Sequence, residues 1–190
     1  YLSTPYGEVV YTSGLLEGKA IILISRHGKK HTITPTQVNN KANIWALKEL
    51  QCRAIIATTA CGSLREEIGR GSFVIPDQFI DFTKHRATTF FDEFEPGNMN
   101  HTPMADPFDS ELRQHLIEAC LEEKNDHKPK GTVITIEGPR FSTRAESLMY
   151  RMLCADIILL STAPEIILAN EIGIPYAAIA MATDYDCWKT

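Results

Sequence analysis

The stretch "AIAMATDYDCW" at 178–188 delivers two carboxylates, Asp184 and Asp186, straight off an apolar run. On an extended chain, residues i and i+2 point to the same side, so both acids face one surface next to a core. Such a pair can share a proton, hydrogen-bond a heterocycle, or act as general acid and base. The same spacing also serves helix capping or a structural salt bridge, and the pair alone leaves that choice open. Four other stretches carry comparable chemistry. Arg26 and His27 in "SRHGKKH" set a guanidinium fork beside an imidazole, which suits phosphate oxygens or a plain solvated strand edge. "TTACGS" at 58–63 offers hydroxyls and small residues that let backbone N–H groups approach an anion, or simply make a turn. Ser161 in "STAPE" puts a hydroxyl at a helix N-terminus, as an anion site or an ordinary cap. Phe141 in "GPRFS" follows a Gly-Pro turn, where a ring either stacks on a ligand or fills a core; His101 in "NHTPMADPF" reads by itself as a loop residue.

These residues need elements to position them. Runs rich in Ile, Val and Ala at 20–25, 54–60, 73–80, 131–137, 155–161 and 176–183 predict strands of a central sheet. Between them, 38–50 and 109–124 show helical periodicity, the second opening at Asp109 as N-cap. Thr143 with Glu146 three residues on predicts a capping box for a helix over 143–153. A fourth helix starts near Pro164 and Glu165 and stops at Gly173. Strands alternating with helices predict an α/β fold with parallel pairs, and ligands in such sheets gather at the carboxyl ends of strands. The polar stretch 83–107 is expected to be a surface loop bordering the site.

Composition narrows the classes. A chain of 190 residues with 44% hydrophobic and 23% charged residues supports one α/β domain with a sizeable core. A net charge of −5 argues against a general nucleic-acid binder while leaving room for a local anion site. No apolar run approaches the roughly 20 residues of a membrane span. Cys52, Cys61, Cys120, Cys154 and Cys187 are scattered without CxxC spacing, which reads as reduced cytosolic thiols, not as a disulfide framework or a metal site. The chain opens "YLSTPYGEVV" and stops at "DCWKT", which suggests a piece of a longer protein.

"SRHGKKHTITPTQVNNKANIWALKEL", "TTACGSLREEI", "VIPDQFIDFT", "TIEGPRFSTRAES" and "AMATDYDCWK", in this order, closely resemble the trimeric purine nucleoside phosphorylase family in its methylthioadenosine-cleaving branch. The resemblance runs over residues 1–190. It implies an α/β fold with a mixed central sheet, partly closed into a barrel and flanked by helices. It implies one catalytic domain lacking the family's N-terminal phosphate loop and C-terminal helical region. The implied reaction is that of a pentosyltransferase: 5'-methylthioadenosine plus phosphate gives adenine and 5-methylthioribose 1-phosphate, a step of purine and methionine salvage. Arg26, His27, Thr59, Ala60 and Ser161 match the family's phosphate ligands. Phe141 matches the residue packed on the purine, and Ser142 stands where relatives acting on 6-oxopurines resemble a Glu. Leu160 replaces a ribose-contacting Met. His101 matches a residue reaching the neighbouring subunit's methylthio pocket, and His31 one near the site. Asp184 and Asp186 match the pair at purine N7 and the 6-amino group. The resemblance implies no cofactor beyond phosphate as co-substrate, no metal, no nucleic acid or membrane partner, a homotrimer, and a cytoplasmic setting, with the nucleus added in a eukaryote. Two other readings stand beside it: a phosphorylase for another purine nucleoside, such as methylthioinosine or adenosine, and a non-catalytic truncated relative that binds nucleoside or subunits.

Overall fold

The computed structural model describes residues 1–189. Two hairpins open the chain, β1 (Leu2–Thr4) with β2 (Gly7–Val9) and β3 (Thr12–Leu16) with β4 (Lys19–Leu23). Then follow α1 (Asn40–Glu49), β5 (Ile55–Ser63), β6 (Phe73–Val74), β7 (Gln78–Phe82), α2 (Ser110–Glu122), β8 (His127–Lys128) and β9 (Thr132–Ile136). The order ends with α3 (Arg144–Met152), β10 (Ile157–Leu159), α4 (Thr162–Glu171) and β11 (Tyr176–Tyr185). Seven strands form one mixed sheet in the order β7-β9-β10-β5-β11-β6-β8.

That order forces the sheet to curl. The apolar run at 73–80 is not one strand but two, because its middle changes partner. Val74 pairs with β11 near one edge, whereas Gln78, four residues later, pairs with β9 at the other. Pro76 sits in the break, with no N–H to donate to a ladder. Four residues reach at most about 14 Å, yet five strand spacings on a flat sheet need about 24 Å. The two edges therefore approach each other in a half-barrel. Asp77 and Gly131 tie the crossing: Asp77 N–H donates to the Gly131 carbonyl at 3.1 Å, and Gly131 N–H to Asp77 Oδ1 at 3.0 Å.

Helix starts follow the local chemistry. Asp109 Oδ1 accepts the Leu112 N–H at 2.9 Å, and Thr143 and Glu146 form the reciprocal capping box. Asn39 caps α1 through Ala42 N–H at 3.0 Å. Gly173, at φ +73°, ends α4 in the left-handed conformation that glycine adopts without a steric penalty. The main core joins β5, β11 and α4 through Ile55, Ala57, Tyr176, Ala178, Ala180, Ile166 and Leu168. A second cluster over Ile134, Ile136, Tyr150 and Ile158 seats α3. No helix among the described residues is long and apolar enough to cross a membrane.

Three expectations change here. Among the described residues the run at 20–25 does not join the central sheet; its strand, β4, pairs with β3 alone. Glu17 and Gly18, both at positive φ, make the tight turn that favours this local partner. "TTACGS" is not a turn after a strand but the second half of β5, because β10 and β11 continue the ladder on both sides of it. And β10 runs antiparallel to β5, so the polar ends do not line up at one carboxyl edge.

Candidate active site

What they share instead is the middle of β5. Because β10 runs against it, Ser161, just past the end of β10, comes back beside Thr59, and the two hydroxyls lie 3.1 Å apart. Because β11 runs with it, Asp184 falls opposite Gly62. A bulge at Thr183 shifts the register there by one residue, a common device for re-aiming side chains beside a site. One cavity of about 920 Å³ lies over these strands. Arg26, His27, His31, Thr59, Ala60, Phe141, Ser142, Leu160, Ser161, Asp184 and Asp186 all line it. His101 does not; it is exposed and packs edge-on against Phe94, with ring centres 5.7 Å apart. The loop at 83–107 supplies none of the cavity wall, contrary to expectation.

Each lining residue has a local cause. His27 and His31 come from a tight turn in which Gly28, at φ +76°, donates to the Ser25 carbonyl at 2.8 Å. His27 Nδ1–H donates to the Ile33 carbonyl at 2.8 Å, which directs the ring's other nitrogen away from the backbone. Ser161 does not cap α4; its hydroxyl faces Thr59, and Ala163 keeps an extended backbone, so the regular helix begins at Pro164. Leu160 packs on Gly138, where an added Cβ would meet its methyls at 3.1 and 3.2 Å and the φ of +65° also disfavours a side chain. Phe141 is 80% exposed at the cavity wall, a large ring left mostly open to solvent. Its loop is held by Arg140, whose two Nη groups grip Glu146 at 2.7 and 2.8 Å.

The acid pair splits into two environments. Asp184 is exposed. Its Oδ1 accepts the Thr183 hydroxyl at 2.8 Å. Asp186 is half-buried; its N–H donates to the Ser63 carbonyl at 2.9 Å. Its Oδ2 and the Ser142 hydroxyl are shielded from solvent and find no hydrogen-bond partner among the described residues. Trp188 anchors this stretch: its Nε1–H donates to Ser63 O at 2.8 Å and Arg151 stacks 3.6 Å from its ring. No group of three or more His, Cys, Asp or Glu that could hold a metal ion occurs among the described residues.

Two supporting networks have no counterpart in the sequence reading. Glu165, read from the sequence only as marking a helix start, is buried and pairs with Arg26. Behind the cavity, Glu137 accepts from the Thr36 hydroxyl, from the Lys84 and His85 N–H groups, and from Arg86. Burial opposes ionisation of Glu137, but these donors outweigh it and hold the carboxyl at about 2, against an ordinary 4.5. The folded state thus gains stability from Glu137 that is complete above pH 4.5 and vanishes as pH falls toward about 2. That gain is worth about 3 kcal/mol at neutral pH. Glu137→Gln should lower the denaturant-unfolding free energy by about that amount at pH 7, with the gap to the wild type closing on acidification. A gap constant from pH 7 to 3 would contradict it.

The family model described as the phosphorylase superfamily matches residues 1–190. An S-methyl-5'-thioadenosine phosphorylase of Danio rerio is 52% identical over 195 residues, covering all of this chain and 69% of that protein. The Xenopus tropicalis protein of the same name is 53% identical over 197 residues, with the same coverage. A solved mutant adenosine/methylthioadenosine phosphorylase of Schistosoma mansoni, in complex with methylthioadenosine, superposes with a TM-score of 0.93 at 40% identity. It covers all of this chain and 74% of its own. The curled mixed sheet, the cavity over the middle of β5 and a match over the whole chain agree, and the chain belongs to the phosphorylase superfamily.

Proposed function

We propose that the chain is a purine nucleoside phosphorylase-type pentosyltransferase that cleaves S-methyl-5'-thioadenosine with phosphate, giving adenine and 5-methylthioribose 1-phosphate. The observation that carries this reading is the order of groups along one cavity. Arg26, Thr59 and Ser161 lie at one stretch of β5, and the carboxylates lie by Gly62, three residues on. Three strand residues span about 10 Å, which fits a phosphate under the sugar with the base beyond it. The enzymes named above, and the methylthioadenosine held by the Schistosoma mansoni relative, support the choice of nucleoside.

In this reading a phosphate oxygen bonds to ribose C1' as the C1'–N9 bond breaks, and the electron pair leaves with the purine. Positive charge spreads over the sugar, which the phosphate beneath stabilises and then captures. Arg26, His27, the Ala60 backbone and the two hydroxyls hold that phosphate. The departing purine gathers negative charge; the Asp184 carboxyl donates its proton to N7 as that charge develops and is left as the carboxylate. Asp186, which also lines the cavity, accepts a hydrogen from the 6-amino group. Phe141 covers the base and Leu160 the ribose. Ser142 supplies no carboxylate for the ring N1–H of a 6-oxopurine. Phosphate is the co-substrate and no cofactor takes part. In a homotrimer, His101 serves the pocket of the neighbouring subunit.

Adenine release from methylthioadenosine, followed with and without phosphate, tests this directly. Release should depend on phosphate and yield the sugar 1-phosphate in equal amount. Equal rates in both conditions would make the protein a hydrolase and sink the reading. Parallel assays with methylthioinosine and adenosine fix the preferred nucleoside.

A further inference from the structure

Glu165 stands in the first turn of a helix, where a carboxylate usually faces water. Here it is 7% exposed and both its oxygens are occupied. Oε1 accepts Arg26 Nε–H at 2.6 Å, and Oε2 accepts Arg26 Nη2–H at 3.0 Å. Oε2 also accepts the hydroxyl of Tyr176 at 2.8 Å, a residue 1% exposed at the start of β11. Burial first, and the Glu165 carboxylate second, push the Tyr176 phenol well above its ordinary value, so it stays a donor.

A guanidinium has five N–H groups in one plane. Glu165 takes two of those on Arg26, and the Thr58 carbonyl takes a third from Nη1 at 3.2 Å. Two remain, one on each Nη, and Arg26 lines the cavity. With Nε and Nη2 locked in a bidentate pair, the plane of the fork is set and its free edge cannot re-aim. We propose that Glu165, itself fixed by Tyr176, is a positioning residue that aims the free Nη edge of Arg26 at the attacking phosphate. The proposal rests on Arg26 being a phosphate ligand, as read above.

Charge alone predicts the opposite effect. A carboxylate this close to an anion site repels phosphate and offsets the charge of Arg26. An arginine wanted only for its charge would bind phosphate better without Glu165. What the carboxylate supplies is direction: the long side chain is ordered before phosphate arrives, so binding does not have to order it. The two accounts differ in the sign of one measurement.

That measurement is phosphate affinity in the full-length protein, by calorimetry without nucleoside, together with the KM of each substrate. Glu165→Gln should weaken phosphate binding and raise its KM about tenfold, as loss of a charge-assisted contact does. The KM for methylthioadenosine should stay within about twofold and kcat at saturating phosphate within about threefold. Tyr176→Phe, which removes one oxygen, should move phosphate the same way by about threefold. In an Arg26→Ala background neither change should act further, because the group they aim is gone. Unchanged or tighter phosphate binding in Glu165→Gln and Tyr176→Phe, with Arg26→Ala still weak, overturns the positioning role alone. Normal phosphate binding by Arg26→Ala overturns the reading of Arg26 and the proposal with it. If Glu165→Gln does not fold, Tyr176→Phe decides.

Discussion

Asp184→Asn should slow adenine release from methylthioadenosine about 100- to 1000-fold in kcat, the loss seen when one hydrogen bond to developing charge is removed. The geometry makes the substitution clean. Asp184 Oδ1 already accepts the Thr183 hydroxyl at 2.8 Å, and an asparagine carbonyl can keep that bond. Its amide N–H₂ then faces the cavity where the other carboxylate oxygen stood. An amide can hydrogen-bond N7 but cannot release a proton to it, so the leaving group stays an anion. The amide has two N–H groups and can donate to N7 and to the O6 of a 6-oxopurine together, which one carboxyl proton cannot do, so the ratio of inosine to methylthioadenosine cleavage should rise. Asp186→Asn should cost less, because it weakens an exocyclic contact and leaves N7 untouched. The measurement is kcat/KM for both nucleosides in both variants. An unchanged ratio in Asp184→Asn would mean that the pair is structural.

Much of this site was legible before any fold was known, and the reason is chemical. Asp184, Arg26, Ser161 and Phe141 stand out because each is a polar or aromatic side chain just past an apolar run. The cap at Asp109 and the box at Thr143 and Glu146 were legible for the same reason: capping is local, and four consecutive residues contain it. What stayed hidden depends on strands far apart in the chain. The facing of Thr59 and Ser161 follows from β10 running against β5, and a strand's direction leaves no mark in its own composition. The split of 73–80 at Pro76 was legible as a proline in a strand, but its meaning, that the sheet curls there, needs both edges at once. Glu165 carries a signal of its own. A charged residue leading into "IILAN" in a buried helix requires a buried partner, and its partner lies 139 residues away. The family resemblance grouped the lining residues without explaining what holds them in place.

Arg86→Met should destabilise the protein by about 3–5 kcal/mol, the cost of removing one member of a buried ion pair and leaving the other unpaired. Its side chain is 3% exposed and every N–H is used. Nε donates to Glu137 Oε2 at 3.3 Å. Nη1 donates to the carbonyls of Leu160 and Ala163 at 2.6 and 2.8 Å. Nη2 donates to those of Ile136 and Glu137 at 3.2 and 2.8 Å. These four carbonyls end β9 and bracket Ser161, so one guanidinium ties together two of the segments that form the cavity floor. Methionine fills much of the volume, which leaves lost pairing as the dominant effect. Arg86→Lys should fall between, since three donors on a point charge cannot reach five acceptors spread around a plane. The double change Arg86→Met with Glu137→Gln should cost less than the sum of the two, because neither leaves a charge unpaired for the other. Denaturant unfolding of the four proteins gives the coupling. Activity gives a second reading: Arg86→Met should raise the KM of both substrates, unlike Glu165→Gln, because it loosens the cavity floor and not one ligand. Full additivity, or a loss below about 1 kcal/mol for Arg86→Met, would show that Arg86 is dispensable to the floor it spans.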